Sequence, residues 1–175
     1  MPSKFIDAVR GQAPADPCLP LVHTTSAPTF EYFIATSGQL EAKECPVYSK
    51  EKLAYLFYGK PSYRPKDADT NHKDMLQFAP ICLVLDCPVG LSPKRVMPFD
   101  SGAYHDKIMT REGHAHNSLP KEFFELPTLD AARAVVGLFF GSNLKYYDEV
   151  PLQPTPVDPS SNTCVETYVS LINRT

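Results

Sequence analysis

The chain has 175 residues, of which 43% are hydrophobic and 21% charged, which is the composition of a globular protein with enough length to bury a core. A formal net charge of -3 excludes the overall basic character of many nucleic-acid-binding proteins. We therefore expect residues 1–175 to form a single domain. The 18 prolines predict many short strands and loops.

The sequence indicates neither export nor membrane insertion. The N-terminal residues MPSKFIDAVRGQ lack the apolar run of a signal peptide, and no apolar run is long enough to span a bilayer. The cysteines are odd in number and lack a CxxC spacing, so neither a zinc ribbon nor a disulfide framework is indicated. These features predict a cytoplasmic protein. The five cysteines are Cys18, Cys45, Cys82, Cys87 and Cys164.

After a lead-in of twenty residues, the chain gives clear signals for a strand followed by a helix. The apolar pair Leu21 and Val22 predicts a short strand. Ser26 is a typical helix N-cap, Pro28 fits the first turn, and Gly38 is a typical left-handed stop. The sequence thus predicts a strand that ends at about residue 23 and a helix that ends before Gly38.

His23, Thr24 and Thr25 are expected at the turn between this strand and this helix. Backbone N–H groups and the positive end of a helix dipole can hold an anionic or hydroxyl-rich ligand at such a turn. These three residues are therefore candidate ligand-binding residues.

Two further strands are predicted in the first half of the chain. Residues 53–58 alternate as a strand that carries Tyr58 near its end, and Gly59 breaks it. Residues 81–85 form a continuous apolar run, which predicts a central strand buried on both faces.

This order of features resembles the NAD-binding half of the ADP-ribosyltransferase fold. It is most similar to the DarT-type enzymes that modify nucleic acid. The resemblance is carried by a strand ending in His-Thr, a helix closing with Gly-x-Leu, and the segment YLFYGKPSYRP. The implied fold is α+β, with a split, mainly antiparallel sheet and a few helices.

The resemblance also implies roles for individual residues. His23 would contact the ribose of NAD, Tyr58 or Tyr63 would stack on nicotinamide, and Arg64 would follow as the family's arginine. NAD would be the substrate and source of the transferred group, and no metal would be needed.

A second candidate site segment lies in the middle of the chain. Asp100, Ser101 and Gly102 follow a strand predicted at 94–97 and form a turn that can approach a ligand closely. The alternative is a structural turn held by the aspartate side chain. Both interpretations are open at the level of sequence.

Three histidines follow, and they allow a different function. His105, His114 and His116 include a His-x-His pair, a spacing that can bind a transition metal when a strand orients both rings the same way. The corresponding alternative is a metal-dependent hydrolase. Gly113 and Asn117 favour a loop instead, so we predict no metal site.

The last third contains the clearest helix and the implied catalytic residue. Thr128 is a typical N-cap, Gly141 a typical stop, and Arg133 between them is expected at the surface. Residues 143–147 are expected as a strand or turn. A proline-rich segment then precedes a strand at 164–172. In the transferase fold the catalytic glutamate lies on a late strand after a loop, and the resemblance assigns this role to Glu166.

The sequence therefore predicts a mono-ADP-ribosyltransferase that transfers ADP-ribose from NAD to a DNA, RNA or protein acceptor. A toxin or defence effector would fit this activity, with an antitoxin or immunity protein as partner. The alternative from a different functional class is a non-catalytic nucleotide or nucleic-acid binding module. Seven basic and four acidic residues between 43 and 73, interleaved with tyrosines, fit either a surface for single-stranded nucleic acid or a solvated loop of mixed charge. Those tyrosines are Tyr48, Tyr55, Tyr58 and Tyr63.

Overall fold

A computed structural model describes residues 5–61, 80–87, 90–105 and 120–152. The chain divides into two compact units. The sheet unit is Leu19–Pro88, and the helical unit consists of Met1–Cys18 with Val89–Thr175. The described residues combine a small antiparallel sheet with a few helices, which is compatible with the α+β class. The single-domain organisation stays a prediction.

Three antiparallel strands form the main sheet of the sheet unit, in the order β4-β1-β5. They are β1, Leu21–Ser26; β4, Phe57–Tyr58; and β5, Pro80–Leu85. Leu21 pairs with Tyr58 on one side and with Leu85 on the other. Leu21 and Val22 are only 4% and 3% exposed. The middle strand of the described sheet is therefore β1.

The prediction of a buried central strand at 81–85 is right about the strand and wrong about its place. Among the described strands β5 pairs with β1 alone, and the Val84 side chain is 63% exposed. A continuous apolar run indicates a strand, but its position in the sheet depends on which strands pair with it. Here β1 has a partner on both sides.

Three consecutive helical segments follow β1. They are α2, Ala27–Thr29; a π-helical turn, Phe30–Ile34; and α3, Ala35–Ser37. Ser26 Oγ accepts a hydrogen bond from the Thr29 N–H at 3.4 Å, so Ser26 is the N-cap. Gly38 has a φ of 67°, the left-handed conformation in which glycine lacks the steric cost of a Cβ. The predicted helix start and stop are both confirmed.

The predicted strand at 53–58 is in fact two short strands in two sheets. β3, Lys52–Leu53, pairs with β2, Lys43–Glu44, whereas β4 pairs with β1. Residues 54–56 connect them. Alternation of apolar residues predicts a strand but does not show where the chain changes partner, so the continuous strand was wrong.

In the helical unit, the predicted long helix is confirmed. α5 is Leu129–Phe140; Thr128 Oγ1 accepts from the Ala131 N–H at 3.2 Å, and Gly141 ends the helix with a φ of 75°. The other helices are α1, Phe5–Arg10; α4, Ser101–His105; a 3-10 turn, Lys121–Phe124; and α6, Asn143–Tyr147.

The core of the helical unit is largely aromatic. Ring centroids lie 5.6 Å apart for Phe5 and Phe124 and 5.0 Å apart for Phe99 and Phe124, in the tilted arrangements that aromatic rings prefer. Phe139 of α5 is fully buried in the same cluster. These contacts join α1, the 3-10 turn and α5 around one core.

Arg133 connects α5 to the N-terminal arm, which is the segment at residues 13–16. Its Nε donates to the Ala15 carbonyl at 3.1 Å, the Ala15 N–H donates to the Arg133 carbonyl at 3.1 Å, and its guanidinium also pairs with Asp16 and Asp130. The Arg133 side chain is only 20% exposed. Arg133, which was expected at the surface, is therefore partly buried and links two segments that are distant in sequence.

Two predicted elements of the helical unit are corrected. Instead of a strand at 94–97, the backbone forms a single antiparallel bridge between Val96 and Leu126. Residues Asn143–Tyr147 form a short helix, not a strand, because Ser142 Oγ accepts from the Lys145 N–H and caps it.

The cysteines also differ from expectation. Cys18 and Cys87 are disulfide-bonded, whereas Cys45 and Cys82 are reduced. The expectation of no disulfides is wrong for these two residues, because cysteine spacing along a chain does not show which thiols meet in space. Disulfides are typical of oxidising compartments, so the cysteine argument for a reducing cytosol no longer holds, and a cytoplasmic location stays a prediction. Within the described residues, no helix has the length and apolarity to cross a membrane.

Gly137 gives a direct test of the packing between α5 and the arm. A Cβ at Gly137 would lie 2.8 Å from the Ala13 carbonyl oxygen, closer than real Cβ contacts. We predict that Gly137→Ala lowers the free energy of unfolding by about 1–3 kcal/mol despite the better helix propensity of alanine. Chemical denaturation measures the change.

The matched control is Gly11→Ala, whose Cβ would meet only ordinary contacts, at 3.6 and 3.7 Å. This variant should be within about 0.5 kcal/mol of wild type. Equal stability of both variants would show that the arm does not pack against α5 as closely as described.

Candidate functional site

His23 lies in the middle of β1, opposite Leu83 of β5. Its Nδ1 atom is 2.8 Å from the Tyr55 carbonyl oxygen. A carbonyl oxygen only accepts, so Nδ1 carries the proton in this hydrogen bond. In the neutral ring Nε2 then has the lone pair and can accept a hydrogen bond from a ligand hydroxyl.

Tyr58 shares one face of the sheet with His23 and Thr25. Leu21 and Tyr58 are paired, so their side chains project from the same face, and residues two and four positions further along β1 project there too. His23 and Thr25 are about 7 Å apart along the strand, and Tyr58 is diagonal to His23. This face thus collects an imidazole, a hydroxyl and an aromatic ring.

The Tyr58 ring is held at its polar end. Its hydroxyl oxygen accepts a hydrogen bond from the Leu19 N–H at 3.0 Å. The side chain is partly buried, so the ring is fixed at both its Cβ and its hydroxyl. The Tyr58 hydroxyl therefore contributes to the fold of the sheet unit.

Thr24 does not join this group. Strand side chains alternate, so Thr24 projects from the opposite face of the sheet, with Val22 and Ser26. The predicted turn at residues 23–25 is also wrong, because β1 continues to Ser26 and pairs with β5 along its whole length. The candidate residues at 23–25 therefore lie on a strand, and not at the end of a helix.

Asp100 and Ser101 lie in the helical unit and build the start of α4. Asp100 Oδ1 accepts from the Gly102 N–H at 2.8 Å, and the Ser101 side chain is buried. This geometry favours the structural alternative that the sequence left open, in which the aspartate side chain holds the turn. Their assignment to ligand binding stays a prediction.

Several predicted site residues lie outside the described part of the chain. They are Tyr63, Arg64 and Glu166, together with His114 and His116 of the histidine alternative. His105 is described, at the end of α4. In the described ranges, no three His, Cys, Asp or Glu side chains converge as a metal site would require.

Sequence reasoning overlooked the residues that hold His23. Tyr55 contacts His23 through its carbonyl and Cys45 through its hydroxyl, with 2.6 Å between Cys45 Sγ and Tyr55 Oη. The aromatic stretch was visible, but a contact made by a backbone carbonyl leaves no signal in residue type.

The sequence predicted a surface of basic residues and tyrosines between residues 43 and 73, and only some of the described residues in this range are exposed. Tyr48 is 7% exposed, so its ring cannot stack on a base, whereas Tyr55 is 41% exposed. Nearby in the chain, the β2-β3 hairpin exposes three lysines. They are Lys43, Lys50 and Lys52.

In comparisons with known proteins, no family model, no curated protein and no solved structure matches the chain.

Proposed function

We propose that the protein is a mono-ADP-ribosyltransferase that binds NAD on the sheet face carrying His23, Thr25 and Tyr58. The observation that carries the proposal is the His23 hydrogen bond to the Tyr55 carbonyl, because it uses Nδ1 as the donor and leaves Nε2 of the neutral ring as a hydrogen-bond acceptor. A ribose hydroxyl is a donor that matches this acceptor.

The residues of this face fit the parts of NAD. His23 Nε2 accepts from a ribose hydroxyl, Thr25 offers a second hydroxyl contact, and the anchored Tyr58 ring offers a flat surface for nicotinamide. Tyr63 and Arg64 extend this set in the proposal, as a second aromatic and as a cation for the phosphates. All of these contacts come from protein groups and need no metal.

In the proposed reaction, the bond between ribose C1 and the nicotinamide nitrogen breaks, and nicotinamide leaves with the bonding electrons. A nucleophile of the DNA, RNA or protein acceptor bonds to C1 and loses its proton. Positive charge develops on the ribose in the transition state, and the carboxylate of Glu166 is the proposed group that stabilises it. The same carboxylate can take the acceptor's proton.

A non-catalytic nucleic-acid binding module is the second candidate. It is favoured by the exposed Tyr55 ring and the exposed lysines of the β2-β3 hairpin, which together offer stacking and phosphate contacts. This candidate predicts salt-dependent binding of single-stranded DNA or RNA without any turnover of NAD.

The proposed activity is tested by incubating the protein with NAD labelled in its adenylate part and separate pools of DNA, RNA and cell proteins. Stable label in one pool identifies the acceptor class. Absence of label in all three pools, with nucleic acid bound, would favour the binding module instead.

NAD affinity should depend on His23. Removal of one neutral hydrogen bond in His23→Ala should raise the Kd for NAD roughly 2- to 12-fold. Isothermal titration measures the Kd, and thermal unfolding checks that the fold is intact.

Thr24→Val is the matched control on the same strand. Thr24 projects from the opposite face, so this variant should bind NAD with the wild-type Kd. If Thr24→Val weakens binding and His23→Ala does not, NAD binds elsewhere than on the proposed face.

Glu166→Gln separates binding from transfer. The substitution keeps the size of the side chain and removes its charge, so the variant should bind NAD with little change. Transfer should be at least about a hundredfold slower, because a pre-organised stabiliser of transition-state charge is lost. Near-wild-type transfer would move the role to another carboxylate, and Glu149 would be tested next.

A further inference from the structure

Tyr55 contacts both His23 and Cys45, which lies between β2 and β3. It lies in the connection 54–56, between the end of β3 at Leu53 and the start of β4 at Phe57. Its carbonyl oxygen is 2.8 Å from His23 Nδ1, and its hydroxyl oxygen is 2.6 Å from Cys45 Sγ. The two ends of Tyr55 thus contact β1 and the segment that connects β2 to β3.

Cys45 is a fixed point for this contact. Its side chain is 2% exposed, its N–H donates to the Glu51 carbonyl at 2.8 Å, and its carbonyl accepts from the Lys50 N–H at 3.0 Å. The backbone of Cys45 is therefore fixed between β2 and β3, and the residue is buried there. A hydroxyl bonded to such a thiol is restrained with it.

Tyr55 itself lies outside the paired strands, so the position of its carbonyl is not set by strand pairing in the described sheets. The side-chain contact with Cys45 restrains the same residue whose carbonyl accepts from His23. Movement of the Tyr55 side chain would shift that carbonyl relative to the imidazole. The orientation of the His23 ring depends on this carbonyl.

We propose that Tyr55, held by the Cys45 thiol, is a positioning residue that keeps His23 in the Nδ1–H tautomer and thereby presents Nε2 as an acceptor. The relevance to NAD rests on the proposed function. The tautomer of His23 is independent of the proposed function, because it is a property of the protein without ligand.

The test is NMR of the ligand-free protein labelled with 15N in its histidine imidazoles. The His23 signals are identified by their loss in His23→Gln. In wild type, Nδ1 should give a protonated signal and Nε2 an unprotonated one at a pH where the ring is neutral. Tyr55→Phe should change the tautomer ratio about fivefold, the equivalent of one hydrogen bond.

Three further variants separate the loss of this contact from general destabilisation. Tyr32→Phe removes the same hydroxyl from a tyrosine that is 72% exposed in the same unit, and it should leave the tautomer ratio unchanged. Cys45→Ala should reproduce the effect of Tyr55→Phe. Cys45→Ser, which keeps a hydrogen-bonding group, should restore the wild-type ratio.

The outcomes are distinct from those that test the proposed function. An unchanged tautomer ratio in folded Tyr55→Phe and Cys45→Ala overturns the proposal, as does an Nε2–H tautomer in wild type. If the ratio changes as expected, a NAD titration shows whether the affinity falls with it. Wild-type protein that binds no NAD would contradict the proposed function and leave the positioning of His23 intact.

Discussion

The antiparallel pairing of β1 with β5 is the constraint on which the sheet unit depends. It aligns all six residues of β1 with β5, while β4 covers only the start of the other edge. This register decides which side chains share a face, because successive residues of a strand project in opposite directions. A shift of one residue would move His23 to the other face and bring Thr24 to the side of Tyr58.

The helical unit depends on a different kind of contact, in which the backbone of an N-terminal arm lies directly on a helix. Gly137 permits the approach because it has no Cβ, and Arg133 binds the Ala15 carbonyl with its Nε. Residues more than a hundred positions apart in the chain are joined in this way. The unit also has a cluster of buried apolar side chains that includes Phe5, Phe99, Phe124 and Phe139.

Local signals in the sequence predicted the ends of helices better than the ends and partners of strands. Ser26, Thr128, Gly38 and Gly141 act through hydrogen bonds or φ angles within a few residues, and all four do what their residue types indicate. The failures were of another kind. The segment 53–58 divides between two sheets, and among the described strands the one at 81–85 pairs only with β1 and is not in the middle, because pairing is decided between distant segments.

For the candidate site, the sequence by itself determined the chemical groups: a histidine and two threonines before a capped helix, which it placed at a turn, and a tyrosine on a later strand. Only the tertiary structure decided that His23, Thr25 and Tyr58 share a face, that Thr24 does not, and that His23 donates from Nδ1. Residue type fixes what a side chain can donate or accept. Which partner it meets, and so which nitrogen is left as an acceptor, depends on a backbone carbonyl 32 residues away, and every residue carries such a carbonyl.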